Sequence, residues 1–149
     1  MRDIARGIKE LVDQTLPLLL RMEPAEVSSK ASADSWSKKE ILGHLIDSAT
    51  NNHQRFVRAV CNTAANFPVY NQDDWVLIQR YQESQWETLV ELWSAYNRHL
   101  SDVIQRIPED AMSSPCNIGR EEPVTLEFVI RDYLRHLRHH VIELLKKEA

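Results

Sequence analysis

Apolar positions recur at spacings of three and four along most of the chain, and no stretch alternates cleanly at period two. That is the period of amphipathic helices. Ile4, Ile8, Leu11, Val12, Thr15 and Leu19 mark one face of a first helix over about 2–22. Pro17 falls inside it and is expected to kink or interrupt it, because proline removes a ladder hydrogen bond. The polar stretch "EPAEVSSKASADS" reads as a loop. In "SWSKKEILGHL", Ser37 and Glu40 match the capping box S-x-x-E, with Trp36 and Ile41 placed to staple across it. The second helix this opens runs over about 38–64.

"NFPVYNQDDW" carries turn formers, and a short helix is expected over about 74–81. Ser84 and Glu87 form a second capping-box match, opening a third long helix over about 85–106. Its stripe contains Trp86, Leu89, Val90, Trp93, Tyr96, Asn97, Leu100, Val103 and Ile104. "PEDAMSSPCNIGREEP" is rich in breakers and reads as a loop. Thr125 is the expected N-cap of a fourth helix running to about 147. Four long amphipathic helices define an all-α four-helix bundle. The long connection between the second and third implies a crossover rather than a simple up-down meander.

Composition narrows this picture. With 149 residues the chain is expected to be one domain, 1–149, and a domain of that size buries roughly 70% of its unfolded surface. Hydrophobic residues make up 43% and charged residues 27%. The net charge of −4 argues against broad electrostatic binding to nucleic acid, which needs a basic face. The longest apolar run, "LPLLL", is far short of the ~20 residues that span a bilayer, so no membrane partner is expected. The N-terminal "MRDIARGIKE" lacks the apolar region of a signal peptide. Cys61 and Cys116 form no C-x-x-C and read as reduced thiols. A soluble cytoplasmic protein is the expectation.

Candidate chemistry sits in "YLRHLRHHVIELLKK", where three of the six histidines crowd together. Leu126, Ile130, Tyr133, Leu137, Val141 and Leu144 define the apolar stripe of this helix. At about 100° per residue, His140 falls inside the stripe and His136 on its edge, while His139 turns toward the polar face near Asp132 and Glu143. His136 and His140 are thus an i,i+4 pair with Cβ atoms roughly 5–6 Å apart, the spacing at which two helical imidazoles chelate one ion. A pair of hydrogen-bonded core or boundary histidines satisfies the same spacing.

A third donor is available on the second helix. His44 flanks the stripe made by Ile41, Leu45, Ala49, Phe56 and Ala59, and Ser48, Asn51 and Arg55 follow it on the same side. That polar ridge suits a helix lining a wet cavity, or simply a solvated helix edge. Asp47 lies one turn from His44 and fits either a role in orienting a ligand or a solvated charge. Asn51 and Arg55 suit an anionic substrate, although Arg55 also suits a surface ion pair. His53 is expected on the outer face, and His99 on the third helix without a nearby histidine.

"WSKKEILGHLIDS", followed much later by "YLRHLRHH", resembles the DinB/YfiT-like superfamily, and the intervening "NQDDWV…RYQESQW…LWSAYNRHL" extends the resemblance over nearly the whole chain. It implies a four-helix bundle with an unusual crossover. It also implies a divalent metal, zinc or nickel, on one histidine of the second helix and two of the fourth. Carried onto this chain, these ligands are His44, His136 and His140. His139 takes the neighbouring position, which does not bind the metal. Three protein ligands leave a coordination position open, as in catalytic rather than structural sites.

Two enzymatic readings follow from the resemblance. One is a hydrolase acting through metal-activated water. The other is a transferase or isomerase that activates a low-molecular-weight thiol such as bacillithiol, mycothiol or glutathione. The alternative is a non-catalytic, stress-related binding or scaffold protein with a vestigial or empty site. The partner expected for the enzymatic readings is a small-molecule substrate, with a homodimer left open.

Overall fold

The computed structural model describes residues 1–61 and 66–146. Four long helices dominate: α1 (Arg2–Leu19), α3 (Lys38–Val60), α5 (Trp86–Arg106) and α6 (Leu126–Leu144). The short helices α2 (Pro24–Ser28) and α4 (Gln72–Gln79) lie in the connections. Helix α1 packs along α5, and α3 packs against both α5 and α6. The core between them contains Ile8, Leu42, Leu45, Phe56, Trp93, Leu100, Ile130, Tyr133 and Leu137. This is the expected bundle, with the crossover on the path from α3 to α5. Among the described residues, no helix is long and apolar enough to cross a membrane.

Local chemistry sets the helix ends. Ser37 caps α3 through the full capping box: its Oγ accepts from Glu40 N at 3.3 Å, and its own N–H donates to Glu40 Oε2 at 2.8 Å. The last residues expected in that helix, 62–64, lie outside the described residues. Thr125 caps α6 by accepting from Phe128 N. Helix α1 ends at Leu19 rather than 22. Past Pro17 the amides of Arg21 and Met22 turn to the carbonyls three residues back, the tighter pattern that closes many helices. "EPAEVSSK" is not all loop. Pro24 opens α2, its fixed φ suited to a first helical turn, and Val27 seats it in the core.

The second predicted capping box does not form. Helix α5 starts at Trp86 with Gln85 as its N-cap, so Ser84 lies one residue too early for Glu87 to answer it. Ser84 instead closes a 3₁₀ turn over Tyr81–Glu83 by donating to Tyr81 O. The start of α5 is fixed from outside, because Trp86 Nε1 donates to Leu19 O at 2.8 Å. Helix α4 begins two residues earlier than expected, since Asn71 caps it through the amides of Asp73 and Asp74. It ends at Arg80, whose φ of 51° is left-handed.

The loop before α6 holds a two-residue antiparallel ribbon of β1 (Pro115–Cys116) and β2 (Val124–Thr125). A bridge between Asn66 and Asn117 ties the crossover to this loop. At the opposite end of α6, the buried Lys38 Nζ lies 2.9 Å from Glu26 Oε1, Leu144 O and Lys146 O. One ammonium therefore satisfies carbonyls at the C-terminal end of α6, where the helix dipole favours a cation, and pins that helix to the start of α3.

Candidate metal centre

With α3 and α6 side by side, His44, His136 and His140 come together. Their ring centroids are 5.1 Å apart for His44–His136, 4.8 Å for His44–His140 and 4.5 Å for His136–His140. One nitrogen from each lies within 4.8 Å of the others. His44 Nε2 and His136 Nε2 stand 3.2 Å apart. Two donors roughly 2.0–2.1 Å from one tetrahedral zinc are separated by about 3.3 Å, so this pair already has the spacing of ligands sharing an ion.

The second ring nitrogens have their own partners. His136 Nδ1 is 3.4 Å from Ser48 Oγ, and His140 Nδ1 is 2.9 Å from Glu143 Oε2. The Glu143 carboxylate can only accept, so His140 Nδ1–H donates outward and leaves its other nitrogen for the cluster, while the Ser48 hydroxyl can take either part toward His136 Nδ1. His44 is only 2% exposed, and its Nδ1 has no partner among the described residues. Its ring is covered by Trp36, with centroids 5.1 Å apart. Burial, and secondarily the neighbouring imidazoles, lower the pKa of His44 from 6.5 to about 3. Burial and His140 likewise lower His136 to about 4. Both are neutral at pH 7, which is the form that binds metal. Geometry, protonation and donor type all fit a divalent ion.

The remaining residues singled out from the sequence divide. Ser48 reaches the cluster, as described. Asp47 is neither a solvated charge nor a hydrogen-bond partner of the histidines. It is 2% exposed, and its Oδ1 accepts from Tyr81 Oη at 2.6 Å and Gln79 Nε2 at 2.7 Å. Burial raises its pKa against the effect of those two hydrogen bonds. Asp47 thus fastens α3 to the crossover. Asn51 spends its amide on Asp47 O, within its own helix. Arg55 is half-buried, with Tyr70, Cys116 and Asp132 as electrostatic neighbours and no ion pair among the described residues.

His139 is exposed, and a second donor set is formed by His139, His140 and Glu143. His99 was expected to have no nearby histidine, but α3 and α5 bring His53 and His99 together, with centroids 5.2 Å apart. Glu143 and Tyr81 escaped the sequence reading. The first was legible as an i,i+3 neighbour of His140. The second left one trace, Gly43: a Cβ there would lie 2.1 Å from Tyr81 Cδ2, so the ring rests directly on the helix beside His44.

A helical bundle with three imidazoles converging between two of its helices defines a class of candidate single-metal sites. Residues 8–144 match the DinB superfamily, and the chain belongs to it. A protein of Oceanobacillus iheyensis named "Putative metal-dependent hydrolase" is 20% identical over 147 residues, covering 97% of this chain and 84% of that one. Among solved structures, YfiT from Bacillus subtilis, described as "a probable metal-dependent hydrolase with an unusual four-helix bundle topology", superposes with a TM-score of 0.83 at 16% identity. The match covers 95% of this chain and 83% of YfiT. A mycothiol-dependent maleylpyruvate isomerase superposes with a TM-score of 0.76 at 15% identity, over 97% of this chain but 59% of that protein.

Proposed function

We propose that the chain is a metal-dependent enzyme, a hydrolase in the first instance, holding one divalent ion, zinc or nickel, on His44, His136 and His140. The observation that carries this reading is the 3.2 Å approach of two neutral Nε2 atoms, with the third ring in contact with both. A bound ion supplies Lewis acidity at an open coordination position. The chain's own residues do the rest. Ser48 and Glu143 fix the rings of His136 and His140 through hydrogen bonds to their Nδ1 atoms. Trp36 shields His44 from water. The names of the Oceanobacillus and Bacillus relatives support metal-dependent hydrolysis.

A second reading, activation of a low-molecular-weight thiol for transfer, is supported by the fold shared with the mycothiol-dependent isomerase. Elemental analysis of untagged protein prepared without chelator is expected to return about one equivalent of zinc or nickel. Metal-dependent turnover of ester and amide panels, against panels supplemented with mycothiol, bacillithiol or glutathione, separates the two chemistries. Substoichiometric metal in the parent, matched by a His136→Ala variant, favours a non-catalytic binding protein instead.

A further inference from the structure

An imidazole that holds an ion with one nitrogen needs a partner for the other, which fixes both the ring and its tautomer. His136 has Ser48 in that place, and His140 has Glu143. His44 is the most deeply buried of the three, and its Nδ1 has no such partner. Among the described residues, the buried side-chain polar atoms without a hydrogen bond are His44 Nδ1, Asp47 Oδ2 and Trp93 Nε1. Trp93 stands on α5. The other two stand on α3, three residues apart, and they are complementary: a ring nitrogen that can donate and a carboxylate oxygen that accepts.

The helix brings them to the same place. Asp47 lies about 60° around α3 from His44 and roughly 4.5 Å along its axis, the i,i+3 relation in which side chains are neighbours. Helical side chains lean toward the N-terminus, which carries the Asp47 carboxylate back over the turn that holds His44. The crossover secures it there. Tyr81 and Gln79 both donate to Oδ1, at 2.6 and 2.7 Å, and the Tyr81 ring rests on Gly43, the residue before His44. Oδ2 is left whole for another donor. Keeping a buried donor and a buried acceptor both unpaired, one turn apart, is costly for a protein.

The contact between His44 and His136 agrees with a proton on His44 Nδ1. In the metal-free protein, Nε2 atoms 3.2 Å apart need one proton between them. With the His44 proton on Nδ1, His136 Nε2–H donates to His44 Nε2, and His136 Nδ1 accepts from the Ser48 hydroxyl. One assignment then satisfies both rings.

We propose that Asp47 is a positioning residue of the metal centre, its Oδ2 taking His44 Nδ1–H into a hydrogen bond and so keeping His44 in the tautomer that presents Nε2 to the ion. This rests on the reading of the histidine cluster as a metal site. The crossover then reaches the centre in two links: Tyr81 and Gln79 hold Asp47, and Asp47 holds His44.

Long-range proton–nitrogen NMR correlation on labelled, metal-free, full-length protein reads the His44 tautomer, and competition with a chromophoric chelator reads zinc affinity. The parent should carry the His44 proton on Nδ1. Asp47→Asn keeps the size of the side chain, but with its carbonyl held by Tyr81 and Gln79 it turns an amide donor toward His44. The tautomer should move to Nε2–H, and zinc binding should weaken about 10–100-fold. Tyr81→Phe separates this from a merely structural role, because it loosens the crossover and leaves Oδ2 in place. It should keep the parent tautomer and nearly the parent affinity. A parent with its His44 proton on Nε2 overturns the proposal, and that reading needs no variant to fold. So does an Asp47→Asn variant with the parent tautomer, or one that loses no more zinc affinity than Tyr81→Phe. A parent that shows the Asp47-dependent tautomer but takes up no zinc refutes the metal reading alone.

Discussion

Helix α3 contributes to two histidine clusters, one through His44 and one through His53. Their ring spacings hardly differ: 4.8 and 5.1 Å from His44 to its two neighbours, and 5.2 Å from His53 to His99. What differs is the supply of unspent nitrogens. His53 Nδ1 already shares a 2.8 Å hydrogen bond with Tyr96 Oη, and His99 is exposed, so that pair offers two scattered donors in water. At His44 three rings converge, their outward nitrogens spent on Ser48 and Glu143 or buried, and their inward nitrogens facing each other. Proximity of imidazoles is therefore a poor criterion for a metal site. Burial, a third ring and partners for the second nitrogen separate the two.

The largest effect that sharpens this contrast is removal of a converging ring. His44→Ala, His136→Ala and His140→Ala should each abolish stoichiometric zinc binding, read by elemental analysis after dialysis, because two protein donors remain. His53→Ala and His99→Ala should leave one equivalent bound. Zinc loss in either of these two would erase the distinction drawn above.

A structural break comes next. Gly43→Ala places a methyl group inside the Tyr81 ring and must push that ring off α3, taking one of the two donors from Asp47. Overpacking of this kind costs about 1–3 kcal/mol, measurable as a lower urea midpoint. An unchanged midpoint would mean that the crossover does not rest on the site helix as described.

Acid should act on the metal-free centre in the same direction. His44 and His136 have folded pKa values of about 3 and about 4, below the ordinary 6.5. Above pH 6.5 neither state binds the extra proton. Below it the unfolded chain does and the folded chain does not, so stability is lost as pH falls toward those folded values. Between pH 7.5 and 5.5 the loss should be on the order of 1–3 kcal/mol by urea unfolding, and His44→Gln should flatten the slope. The raised pKa of Asp47 works with the opposite sign.

The smallest effects distinguish the groups around the rings. Glu143→Gln and Ser48→Ala should weaken zinc about 10-fold by freeing the ring each one holds. His139→Ala should change affinity by less than about 3-fold, since removing an exposed side chain leaves all three inward nitrogens in place.

Much of this was legible before any coordinates. The capping box at Ser37–Glu40, the Thr125 cap and the four apolar stripes set the bundle, because each depends on spacing within one helix. The positions of His44, His136 and His140 on their helices were legible for the same reason. What escaped depends on which elements meet. A helical wheel places Asp47 at an edge, and only the crossover returning through Gln79 and Tyr81 makes that edge interior. It places His53 on an outer face, and only the neighbouring α5 puts His99 and Tyr96 there. Ser84 carried the right motif one residue too early, because Trp86, anchored on Leu19, sets the start of α5.

The central claim is that one metal ion sits among His44, His136 and His140. Anomalous diffraction at the zinc edge, on crystals grown with zinc and without a histidine tag, tests it most directly. The prediction is a single peak per chain about 2.0–2.1 Å from one nitrogen of each of the three rings. A peak on His139, His140 and Glu143 instead, or none within reach of His44, would contradict it.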